Sequence, residues 1–138
     1  MTPARCLIHH DPSNDSYGDC LRACVATVLD MDPLTVLHFA DHGRTADAAM
    51  RELRRWSMSH GLMPYVVGFP PVPLDELLDQ QRLINPDSVY ILTGATADGT
   101  DHCVVCRGGA VVHNPSPGSR VVGPTSEGWW QVMVIARA

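Results

Sequence analysis

The stretch "YGDCLRACVATVLD", Tyr17 to Asp30, sets one cysteine at the start of an apolar segment and a second four residues later. From Cys20 to Leu29 only Arg22 and Thr27 are polar, so the segment reads as a helix surrounded by protein on most sides. A thiol at the N-terminus of such a helix feels the positive end of the macrodipole and nearby unpaired N–H groups, which favour thiolate. The same amides can face a developing oxyanion. Asp19, next door, opposes thiolate formation. Cys24, one turn deeper, reads as a small buried hydrophobe.

Around this helix the chain changes character. Asp32-Pro33 predicts a cap and first helical residue of a short helix running to about Ala40. "TADAAMRELRRWSMSHG" (45–61) is amphipathic, with Ala46, Ala49, Met50, Leu53, Trp56 and His60 at helical spacing, Thr45 as cap and Gly61 as stop. "MPYVVGF" reads as a strand and "PLDELLDQQRL" as a helix. The segments 88–94, 102–108, 110–114 and 129–137 read as strands, with Gly108-Gly109 as a compact hairpin turn. Helices first and antiparallel strands afterwards predict an α+β fold.

The 138 residues are the size of one domain, 1–138, and neither a repeat nor a low-complexity linker divides them. Apolar residues make up 45% and charged residues 18%, ordinary for a globular protein. The net charge of −5 argues against nucleic acid as a partner, and all ten cations are arginine, which excludes chemistry needing a lysine amine. No membrane partner is expected, because no run reaches the roughly 18 apolar residues of a span. The start "MTPARCLIHHDPSND" carries no signal-like apolar core, and five cysteines are an odd count for a disulfide framework. The expected location is cytoplasmic.

A cysteine nucleophile needs an imidazole to take its proton and stabilise the thiolate. Of seven histidines, His102 opens the strand "HCVVC" directly after the polar loop "GATADGTD", which anchors its backbone while freeing its ring to face a cleft. Alternation puts His102, Val104 and Cys106 on one face, with Cys103 and Val105 on the other. Counting outward from Gly108-Gly109, Arg107 meets Ala110 and His102 falls opposite Pro115, one position from Asn114. Asn114 is therefore the candidate to hold the second imidazole nitrogen, and His113 points to the opposite face.

The order Cys20, His102, Asn114 resembles the papain-like cysteine peptidase superfamily, above all the bacteriocin-leader (double-glycine) peptidases and small related proteins of phages and bacteria. The motifs are Asp19-Cys20, His102-Cys103-Val104-Val105 and Asn114-Pro115, and the likeness spans roughly residues 10–136 as an architecture. It implies a central helix carrying the nucleophile, packed on a mainly antiparallel sheet. It also implies hydrolase or acyl-transfer chemistry on a peptide, isopeptide or amide bond of a peptide or protein substrate, without cofactor. The family places a Gln six residues before the nucleophile as oxyanion donor, and Asn14 stands there. Leu21 replaces the family's common Gly after the nucleophile.

Two other readings compete. Cys20 and Cys24, at i and i+4, together with Cys103 and Cys106 resemble a zinc-binding set. Val-Val between the latter two favours extended backbone, which separates their sulfurs. A papain-like domain with an idle thiol, used as a binding module, is the other.

Overall fold

A computed structural model describes residues 1–138. The apolar segment forms helix α1, Cys20–Leu29, ending at Asp30 in the left-handed region. Helix α2 follows at Ala46–Ser59 with Thr45 accepting from the Ala48 N–H, then strand β1 (Leu62–Phe69) and helix α3 (Leu74–Ile84). Strands β2 (Val89–Ala95), β3 (Asp101–Arg107), β4 (Ala110–His113) and β5 (Trp130–Arg137) complete an α+β domain. The five strands form one antiparallel sheet in the order β1-β5-β2-β3-β4. No helix is long and apolar enough to cross a membrane.

Strand alternation divides the core between two faces of the sheet. On one face, Ile91, Cys103, Val105 and Met133 pack with Cys24, Val25 and Ala26 of α1 and Ala49 and Leu53 of α2. On the other, Tyr90, Leu92, Val104, Cys106, Trp130 and Val132 pack around Leu77 of α3. The sheet is thus the middle of three layers, with α1 lying across β3 and β2. Polar ends of buried aromatics are satisfied: Tyr90 Oη donates to the Gly108 carbonyl at 2.6 Å and Trp130 Nε1 to the Val72 carbonyl at 2.8 Å. Gly94 admits this packing, since a Cβ there would lie 2.5 Å from both the Gly123 carbonyl oxygen and the Trp130 ring.

The two polar residues of α1 have defined work. Thr27 Oγ1 donates to the Ala23 carbonyl at 2.8 Å and accepts the Ala4 N–H at 2.9 Å. Arg22 pairs with Asp19 at 2.6 Å. The helix expected from Pro33 to Ala40 is only a 3₁₀ turn, Pro33–Thr35. Beyond it Val36 is extended, which buries Val36 and Phe39 in the α1 core and lets His38 Nε2 meet the Tyr17 carbonyl at 2.7 Å. Tertiary burial overrides the local helix signal there.

Candidate active site

Asp19 precedes α1 without capping it; its side chain bonds none of the first-turn amides. The buried carboxylate instead accepts the Leu7 and Ile8 N–H groups, each at 3.0 Å, and both Arg22 Nε and Nη2. Two consequences follow. The Cys20 N–H is left without an internal partner at the open end of the helix. Residues 4–8 are strapped across the domain, because the Cys6 N–H also reaches the Pro115 carbonyl at 2.9 Å and His113 Nε2 donates to the Ala4 carbonyl at 2.6 Å.

His102 and Asn114 meet through an irregularity in the hairpin. Arg107 pairs with Ala110 and Cys106 with Val111, but Val105 pairs with His113, so Val112 is an extra residue. This corrects the unbroken count of the sequence reading. In an unbroken ladder Asn114 lies opposite Cys103, on the α1 face. The bulge moves it opposite Val104, on the same face as His102. His102 Nε2 then donates to Asn114 Oδ1 at 2.9 Å. The amide's orientation is fixed independently: Asn114 Nδ2 donates to the Ser119 carbonyl at 2.5 Å, and Oδ1 also accepts the Ser116 N–H at 3.1 Å. Nε2 therefore carries a proton, and Nδ1 is the nitrogen left for the thiol.

The thiol of half-buried Cys20 lies against both Cys103 and His102. Hydrogen bonding from the Cys103 thiol is the largest influence and holds Cys20 well below the usual thiol range. Burial opposes it, and the bond to His102, the imidazole's charge and the Cys103 backbone act with it. His102 moves the other way. Burial alone would lower its pKa, but the contact with Cys20, the hydrogen bond to Asn114 and the thiolate charge together raise it. The pair is coupled without the alignment of a fully formed hydrogen bond, a looseness common in catalytic pairs that tighten only around substrate. Burial raises the thiols of Cys24, Cys6 and Cys106, the last two to about 12. Cys20 alone among the five is disposed to ionise.

Cys20 and His102 open on a cleft of about 340 Å³ whose lining includes Cys6, His10, Thr96, Asp98 and Asp101. Asn14 does not line it. Residues 11–16 close on themselves, with the Asp11 N–H on the Ser16 carbonyl at 2.7 Å, and Asn14 is exposed in that excursion with its amide on Asp11 Oδ2 at 2.6 Å. The oxyanion role expected of Asn14 is not met by this geometry. Nor do four cysteines converge for zinc, since Cys106 belongs to the α3 core and Cys24 and Cys103 to the α1 core. Cys103 carried a sequence signal: alternation put it on the face opposite Val104. Its contact with the Cys20 sulfur had none.

Comparisons with protein-family models, curated proteins and solved structures find no match to this chain. The reading of the site rests on its own geometry.

Proposed function

We propose that this chain is a papain-like cysteine hydrolase, or a related acyl transferase, acting on a peptide, isopeptide or amide bond. The observation that carries the reading is the line from Asn114, hydrogen-bonded to His102, to a Cys20 thiol that lies against this imidazole and is disposed to ionise. In this reading the Cys20 thiolate attacks the carbonyl carbon, forming a C–S bond while the π pair moves to oxygen. The His102 imidazolium gives its Nδ1 proton to the leaving amine as the C–N bond breaks, leaving an acyl-enzyme. His102 then takes a proton from water, or from an acceptor amine, as that nucleophile releases the acyl group. Asn114 holds the ring with Nδ1 towards sulfur throughout. Hydrolysis and transfer share the acyl-enzyme and differ only in the second nucleophile.

Labelling with a peptide acyloxymethyl ketone tests it. One adduct on Cys20 is expected, absent from Cys20→Ala and slowed in His102→Ala. A folded protein that gives no adduct, or adducts spread over Cys6 and Cys24, would overturn the reading in favour of a non-catalytic binding module.

A further inference from the structure

If the site works as proposed, its tetrahedral oxyanion needs a second donor besides the Cys20 N–H, and Asn14 is turned away. The excursion of residues 11–16 has His10 at one foot and Tyr17-Gly18 at the other. Across that base the Gly18 N–H donates to His10 Nδ1 at 3.1 Å. An imidazole nitrogen that accepts an N–H is unprotonated, so in the neutral ring the proton is on Nε2. The ring is thereby anchored to Gly18, two residues before the nucleophile, as an N–H donor on the wall of the cleft that Cys20 and His102 share. Gly18 permits the approach, since a Cβ there would lie 2.9 Å from the His10 Cβ. Its edge-on neighbour Tyr17, with ring centroids 6.2 Å apart, supports the ring from the side. Three other polar groups on the cleft wall are less suited. The Asp98 and Asp101 carboxylates are acceptors, and Thr96 Oγ1 already donates to Asp98.

We propose that His10 is a catalytic residue, its Nε2–H and the Cys20 backbone N–H together forming the oxyanion hole. This assignment rests on the hydrolase reading and adds to it the donor that the six-residue spacing to Asn14 does not provide. When the sulfur lone pair forms the C–S bond and the carbonyl π pair becomes the oxyanion, both N–H groups donate to that oxygen and neither loses its proton.

The two readings separate with two reagents. Iodoacetamide alkylates the thiolate by displacement of iodide and creates no oxyanion. N-acetylglycinal adds to it reversibly, giving a thiohemiacetal oxygen in the hole, and its affinity is read as protection of Cys20 from iodoacetamide. His10→Ala should leave the iodoacetamide rate unchanged and weaken the aldehyde by about 10²-fold, the scale of losing one oxyanion donor. His10→Gln, which keeps an N–H donor, should recover most of that affinity, and Gly18→Ala should mimic His10→Ala by displacing the ring. Wild-type Cys20 no more reactive than Cys24 would overturn the hydrolase reading and this assignment with it. A reactive Cys20 whose aldehyde affinity ignores His10, or falls in Asn14→Ala instead, would overturn the assignment alone.

Discussion

Cys20 and Cys24 are the same side chain on the same helix, yet neighbours drive them in opposite directions. At Cys24 burial dominates and pushes the thiol up; at Cys20 a second thiol, Cys103, and an imidazole outweigh burial. The pH dependence follows with a definite sign. Alkylation tracks thiolate, so a depressed pKa keeps the rate high in solutions where an ordinary thiol, with its pKa of about 8.5, is protonated and slow. The rate falls only as the pH drops through the depressed value. Because Cys103 is the largest influence, Cys103→Ala should move that fall upward towards the ordinary thiol range, and Cys103→Ser, which keeps a hydroxyl donor, should move it less. A pH profile of iodoacetamide labelling, with peptide mapping to confirm Cys20, checks both. The sequence carried the candidate thiol at a helix start and the candidate histidine after a polar loop. It carried no sign that a strand cysteine would be the largest influence on the thiol.

At the scale of elements, α1 and α2 and all four second-half strands fall within a residue or two of their sequence patterns, because each alternates or cycles against a buried face. What the patterns could not carry is the β4 bulge. A bulge changes no hydrophobic period by itself; Val111 and Val112 are both valine, and either reads as the paired residue. Yet it decides the site, since one residue of register moves Asn114 from one face of the sheet to the other. Deleting Val112 closes the bulge but keeps Val105 opposite His113, so Cys20 labelling should survive. Inserting one alanine after Val112 turns Asn114 away and should slow labelling by about tenfold, as Asn114→Ala should, the equivalent of one net hydrogen bond of ~1.4 kcal/mol. Equal rates for deletion and insertion would show that face does not matter. The 3₁₀ turn at Pro33–Thr35 failed as a helix for a related reason: burying Val36 and Phe39 outweighs local capping.

Over the whole molecule, the feature least visible in the sequence is the strap of residues 4–8. Its backbone bonds go to Thr27 and Asp19 on the α1 side and to Pro115 beyond β4, while its own Ala4 carbonyl receives His113 across a separation of 109 residues. Asp19 stands next to the thiol in sequence, but its charge is paired with Arg22 and its side chain is fully buried. Asp19→Ala removes the anchor and leaves the Arg22 cation uncompensated, which should cost about 3–5 kcal/mol. Chemical denaturation measures that loss, and limited proteolysis should cut first within residues 4–9; an unchanged midpoint would mean that the strap does not stabilise the fold. The strap also bears on when the protein becomes competent. Synthesis releases residues 4–8 more than a hundred residues before the Asn114–Pro115 corner, so the strap waits for the segment it binds. A nascent chain halted anywhere before that corner has its thiol but neither the oriented imidazole nor the closed wall. On the proposed reading, the thiol gains its oriented imidazole only once that corner has been made.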